Sequence, residues 1–177
     1  MAILVLGIGN SLMNDDALGV TAIEQLQERY HFPAGVSVVD GGTLGLDLLP
    51  MLEGVRKLLI IDAIDMGATP GALFRLEGDE VPRAFASKLS VHQMGVQDLL
   101  AVAELQGHVP EELVVWGVQP GSIEMEMRLT PAVAAAIAPL LEGVIKELTG
   151  WGVELKSAEN NDLRSWGNRL QPAIQQE

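Results

Sequence analysis

The sequence predicts an α/β protein of three layers: a twisted, mostly parallel sheet with helices on both faces, plus one edge strand. Three observations predict it. Apolar, β-branched runs recur at residues 2–8, 36–40, 57–62 and 113–118, each long enough for one strand. They are continuous rather than alternating, as expected of strands covered on both faces. Segments of helical period or turn composition separate them, and such alternation favours parallel pairing through crossovers.

In order, residues 2–8 form the first strand and end in a glycine turn, Gly7-Ile8-Gly9. Asn14 is placed to cap the next helix, with Asp15 and Asp16 in its first turn. Val20, Ile23, Leu26 and Tyr30 repeat at helical spacing to about residue 30. Residues 31–35 break that helix, and 36–40 form a second strand ending in Asp40-Gly41-Gly42-Thr43. Residues 44–52 read as a short apolar helix, and 57–62 as a third buried strand closed by Asp62-Ala63-Ile64-Asp65. Residues 71–76 alternate like an edge strand, while 77–88 read as polar and irregular. Ser90 caps a helix over about 91–105, residues 113–118 form a further strand, and Thr130-Pro131 opens the last long helix. Residues 1–155 make a single domain; 156–177 read as a polar tail, with some helix about Trp166.

Composition narrows the function. The chain of 177 residues is 48% hydrophobic, which suits one domain with a full core. It holds no Cys, so disulfides, thiolate metal sites and a Cys nucleophile are excluded, and a reducing cytoplasm suits it. The net charge of −13 argues against nucleic-acid partners. No apolar run is long enough to enter a bilayer as a spanning helix, and the N-terminal run reads as a strand rather than a signal peptide.

In a doubly wound sheet, ligands bind beyond the carboxyl ends of the strands. That rule gathers the turns 7–16, 40–43, 62–65 and 117–120 on one rim. Gly7-x-Gly9 after a strand resembles the start of a dinucleotide fingerprint, but position 12 is Leu. Asp15 and Asp16 oppose that reading, because two carboxylates at a helix start repel a pyrophosphate. A non-catalytic, flavodoxin-like nucleotide-binding module is therefore the second hypothesis, and a general zinc peptidase the third. Ser11 and Ser90 lack a nucleophile-elbow context, and His31 and His108 sit in loop-like stretches. Asp47 and Asp65 are candidates by proximity alone, and Met13 and Met94 line either a groove or the core.

Asp16, Asp62 and His92 come from three elements whose ends can meet on the rim. Two carboxylates and an imidazole with open positions suit a divalent ion such as nickel, zinc or iron. Each residue also has an ordinary role open to it. Asp16 can complement the helix dipole, Asp62 can cap a turn, and His92 can face solvent. Spacing alone does not choose.

Several linked motifs do more. Gly7-Ile8-Gly9-Asn10-Ser11 running to Asp15-Asp16, then Asp40-Gly41-Gly42-Thr43, Ile60-Ile61-Asp62-Ala63, Ser90-Val91-His92-Gln93-Met94-Gly95 and Gly117-Val118-Gln119-Pro120 occur in that order. Over residues 2 to about 150 the sequence resembles the nickel-iron hydrogenase maturation endopeptidases. The resemblance implies a metal-recognising, aspartic-type or metal-dependent hydrolase. Its implied act is one cut near the C-terminus of the hydrogenase large-subunit precursor, removing a short extension after nickel is loaded. It implies nickel presented by the substrate, with zinc or cadmium as stand-ins in crystals. The implied ligands match Asp16, Asp62 and His92, which are also the implied catalytic residues. The first is Glu in some members and Asp here, one methylene shorter. Gly41, Gly42 and Thr43 are expected to offer backbone N–H groups to an extended substrate segment. The expected setting is a cytoplasmic monomer with that precursor as partner.

Overall fold

The computed structural model describes residues 2–86 and 91–158, with backbone only at 86 and 91–94. The expected Ser90 cap, the His92 side chain and the helix about Trp166 lie outside the described residues. The elements are β1 (Ile3–Ile8), α1 (Leu18–Arg29), β2 (Tyr30–His31), β3 (Val36–Gly42), β4 (Lys57–Ala63), β5 (Leu73–Glu77), α2 (Glu80–Ala86), α3 (Val91–Leu105), β6 (Glu112–Val118), α4 (Pro131–Gly150) and β7 (Lys156–Ser157). Short 3-10 segments cover Asn14–Ala17 and Gly45–Leu52.

The sheet runs β3-β1-β4-β6-β5. β1 lies parallel between β3 and β4, and β4 is parallel to β6. β5 closes the edge antiparallel to β6, as its alternating pattern predicts. Side chains alternate across the pleat into two cores. Ile3, Val5, Leu59, Ile61 and Val114 pack with α1 and α4 on one face. Leu4, Leu6, Leu58, Ile60 and Val115 pack with the 45–52 segment, α2 and α3 on the other. The three-layer α/β expectation is met, and every residue of β1 is buried.

The details differ at four places. Asn14 does not cap a continuous helix: a 3-10 turn precedes α1, and the Asn14 Oδ1 accepts N–H groups from Asp15 (2.9 Å) and Glu124 (3.0 Å). Residues 45–52 are 3-10 rather than α, with Pro50 inside lacking the amide an α-helix would require. The stretch expected to be irregular holds α2, where Pro82 falls in the tolerant first turn and Val81 and Phe85, four apart, both bury. Finally, β7 pairs antiparallel with β2, so Lys156 and Ser157 are tied to Tyr30 and His31.

The strand order sets the site. From β1 the chain passes through α1 to β3 on one side; from β4 it passes on to β6 on the other. The connections thus diverge between β1 and β4. A crevice opens at the carboxyl ends of such a pair.

Candidate active site

Among the described residues, the buried polar and charged side chains are Asn14, Asp15, Asp16, Asp62 and Gln119. All stand at the carboxyl ends of β1, β4 and β6. Burying carboxylates is costly, and the fold concentrates that cost at the switch point. Such concentration is a mark of a functional site.

Close packing brings together the elements that carry two of these groups. Gly19, in the first turn of α1, lies where a Cβ would overlap the carbonyl oxygens of Ile8 and Ile61. Glycine therefore lets the helix start rest across the ends of β1 and β4. Asp16 is one turn before Gly19, and Asp62 directly follows Ile61. The segment Asn14–Ala17 contacts β4 accordingly. Asp16 is 3% exposed and Asp62 is fully buried, in register with Gly117 of β6. One oxygen of Asp16 accepts the Asn10 amide at 3.0 Å. The chain's own carboxylate thus takes an amide that a bound phosphate would need, and nothing in the site supports the nucleotide-binding alternative.

Asp15 faces elsewhere. Its Oδ2 accepts the amides of Gly121 (2.7 Å) and Ser122 (3.1 Å) and the Thr130 hydroxyl (2.8 Å). Its Oδ1 accepts the Thr130 amide at 2.7 Å. Asp15 is more than a helix-terminus charge: it fastens the β6–α4 loop to the turn after β1. Thr130 holds the N-cap position of α4, but its hydroxyl is given to Asp15 rather than to the helix. Asn14 continues the fastening, since its amide also donates to the Glu124 carbonyl at 3.0 Å. Nothing local in the sequence signals these long-range partners.

Gln119 is a second residue whose role the sequence does not reveal. Its Oε1 accepts the amides of Met66 (2.8 Å) and Ala68 (3.1 Å), and its Nε2 donates to Asp65 at 3.0 Å. It shapes the loop after β4. Its only sequence signal is an amide at a strand end before Pro120-Gly121.

The start of α3 is brought to the same end of the sheet by a close approach. A Cβ on Gly95 would stand 3.1 Å from the Gly45 Cα, just past the end of β3. His92 lies in the first turn of α3, one turn before Gly95; its side chain is outside the described residues. The Asp40–Thr43 turn ends β3 beside β1. There the Gly42 amide donates to Asp40 Oδ1 at 2.8 Å and the Gly42 carbonyl accepts the Gly9 amide at 3.0 Å. Gly41 is buried and Thr43 exposed. His31 is exposed and His108 half-buried, both away from the rim.

Among the described residues, no three His, Asp or Glu side chains are grouped to hold an ion. Asp16 and Asp62 offer oxygen donors from separate elements, chemistry that fits a hard or borderline divalent ion. A third protein donor would have to come from a side chain outside that set.

Known proteins are similar to this chain in sequence and in fold. A family model described as hydrogenase maturation protease matches residues 20–147. The hydrogenase 2 maturation protease of Escherichia coli is 43% identical over 155 residues, 87% of this chain and 94% of that protein. The hydrogenase expression/formation protein HupD of Rhodobacter capsulatus is 42% identical over 165 residues, 91% of this chain and 79% of its own length. Among solved structures, the hydrogenase maturating endopeptidase HybD of E. coli superposes with a TM-score of 0.87 at 42% identity, covering 90% of this chain and 99% of that one. The [NiFe] hydrogenase maturation protease HybD of Thermococcus kodakarensis gives 0.69 at 29% identity, covering 82% and 98%. With its switch-point carboxylates, its sheet order and these matches, the chain belongs to the hydrogenase maturation protease family.

Proposed function

We propose that this endopeptidase removes the C-terminal extension of a nickel-loaded [NiFe]-hydrogenase large-subunit precursor, using Asp16, Asp62 and His92. The observation that carries the site is the burial of Asp16 and Asp62 at the divergence of β1 and β4, under the packed start of α1. The nickel belongs to the substrate. When presented, it supplies Lewis acidity to the scissile carbonyl or to an attacking water. Asp16 and Asp62 bring negative oxygen donors to the cation from two directions, and His92 adds a nitrogen donor from α3. A carboxylate oxygen not used as a ligand takes the proton of the attacking water and passes it to the leaving amine. The shorter Asp16 reaches less far than a Glu would, and it stands just before a helix start seated closely on β1 and β4.

Gly41, Gly42 and Thr43 stay in the proposal as one wall of the substrate path. The Gly42 amide is engaged by Asp40, so hydrogen bonding there falls to the exposed Thr43. The enzyme is proposed to act as a monomer, and in the cytoplasm, whose reducing conditions a chain without Cys suits. No helix of the described residues is long and apolar enough to cross a membrane.

The test compares nickel-loaded and nickel-free precursor with the parent chain, Asp62→Asn and His92→Ala. The parent should release the extension from the loaded precursor alone. Each variant should process it at least about 100-fold more slowly, a loss of about 2.7 kcal/mol in transition-state stabilisation. Asp62→Asn is nearly isosteric and should keep the parent's circular dichroism. Equal cutting of both precursors removes the metal-gated mechanism; normal rates in both variants remove the site.

A further inference from the structure

The rim that holds the carboxylates is also where large apolar side chains face solvent. Leu12 follows β1, Leu44 and Leu46 follow β3, and Met66 follows β4. Met125 and Met127, in the loop after β6, are the most exposed of these at 86% and 79%. They arise from four separate turns, yet the parallel sheet brings all four to one end. Scattered exposed apolar residues need no explanation, but a ring of them around a polar site does.

The β6–α4 loop does not display its methionines by being slack. Asp15 holds it at Gly121, Ser122 and Thr130, and Asn14 holds it at Glu124. Met125 and Met127 are thus displayed on a loop fixed at both ends, and Glu124, Glu126 and Arg128 alternate with them, all exposed. Asp40 and Asp65 add exposed negative charge on the neighbouring turns. An apolar ring of this kind with net acidic charge would be repelled by anionic lipid headgroups. Two copies of the same acidic rim would also repel.

Resting on the proposed function, we propose that this collar, centred on Met125 and Met127, is the docking surface for the folded body of the large-subunit precursor. The fitting partner face is apolar, flanked by Lys and Arg, and surrounds the base of the extension that enters between β1 and β4. Methionine suits the task because its flexible thioether adapts to an irregular surface. Affinity then comes from the body of the precursor, and the carboxylates are left to act on the bond.

The test uses the full chain immobilised and the nickel-loaded precursor in solution, with release of the extension followed separately by mass spectrometry. Met125→Ser/Met127→Ser should weaken precursor binding at least tenfold and raise KM by a similar factor. Its kcat at saturating precursor should stay within threefold of the parent, and its thermal unfolding should not change. Leu105→Ser, which removes an equally exposed side chain at the far end of α3, should bind like the parent. Parental binding by the double variant overturns the collar, as does equal weakening by Leu105→Ser. A parent that dimerises through this loop, with the dimer lost in the double variant, also overturns it by assigning the surface to a second copy. A parent that binds the precursor through Met125 and Met127 without cutting it sinks the proposed function and keeps the collar. A parent that neither binds nor cuts overturns both.

Discussion

The two ends of the sheet handle charge in opposite ways. At the amino end acid meets base: Arg56 pairs with Glu111 at 2.7 Å in the open, and Lys57, largely covered, pairs with the half-exposed Glu112 at 2.6 Å. At the carboxyl end, Asp15, Asp16 and Asp62 are buried, and Asp15 accepts hydrogen bonds from amides and a hydroxyl. An exposed pair such as Arg56–Glu111 contributes little to stability because water screens it. Buried carboxylates must be held by fixed dipoles, and removing the holder or the held leaves a polar group stranded. The lesson is that the fold is tolerant at one end and committed at the other, and the committed end carries the proposed site.

Asp15→Ala should break this contrast most visibly. It strands the three amides and the hydroxyl that Asp15 accepts and frees the loop carrying Met125. The expected loss is about 3 kcal/mol in urea unfolding, at the level of breaking a buried polar network. Precursor affinity should fall with it, since the loop is no longer fixed. A loss under about 1 kcal/mol would show that water replaces the carboxylate and that the carboxyl end is no more committed than the other.

Much of this was legible beforehand. Continuous apolar runs gave β1, β4 and β6, and the rule on carboxyl ends put Asp16 and Asp62 on one rim. What was hidden is non-local. The separation of Asp15 from Asp16, neighbours in sequence that face different partners, depends on a loop more than a hundred residues away. Gln119 shapes the Asp65–Ala68 turn across 54 and 51 positions for the same reason. α2 is hidden because 77–88 reads as polar and irregular, and its seven residues bury only a short apolar face led by Val81 and Phe85. The β2–β7 ribbon is two residues long and leaves no periodic trace. The apolar collar was unreadable because no single turn contains more than a few of its members.

Between the two extremes stands Arg75, which ties the edge strand β5 to α4. Its Nε and Nη2 donate to Glu147 at 2.7 and 2.9 Å, a two-pronged contact, and Nη1 donates to Glu77 at 2.7 Å. Hydrogen bonding to Arg75 holds the Glu147 carboxyl below the usual carboxylate range, against the burial that raises it. A depressed folded pKa stabilises above the unfolded value, and the gain disappears as pH falls through the folded one. Arg75→Met should therefore cost about 1 kcal/mol at pH 7, a value already reduced for solvent because Arg75 is 38% exposed. The gap to the parent should stay constant down to the ordinary Glu range and close below it. A gap that persists unchanged in acid would mean the pair acts by packing of the Arg75 stem rather than by charge.

The smallest effect belongs to Arg56. Its side chain is 57% exposed and that of Glu111 is 60% exposed, although the fork is well formed, with Nε and Nη2 each donating at 2.8 and 2.7 Å. The pairing holds Glu111 below its usual range, with the Arg56 hydrogen bond as the main cause. Good geometry alone would suggest a stabilising contact, but full access to water and salt should cancel it. Arg56→Gln is expected to leave the unfolding midpoint at pH 7 within measurement error, in low salt and in high. The Arg56 amide still donates to the Ala2 carbonyl at 2.9 Å, so the entry into β4 keeps its backbone anchor. A clear, salt-sensitive loss of stability would place this pair with the buried groups of the opposite end and erase the contrast between them.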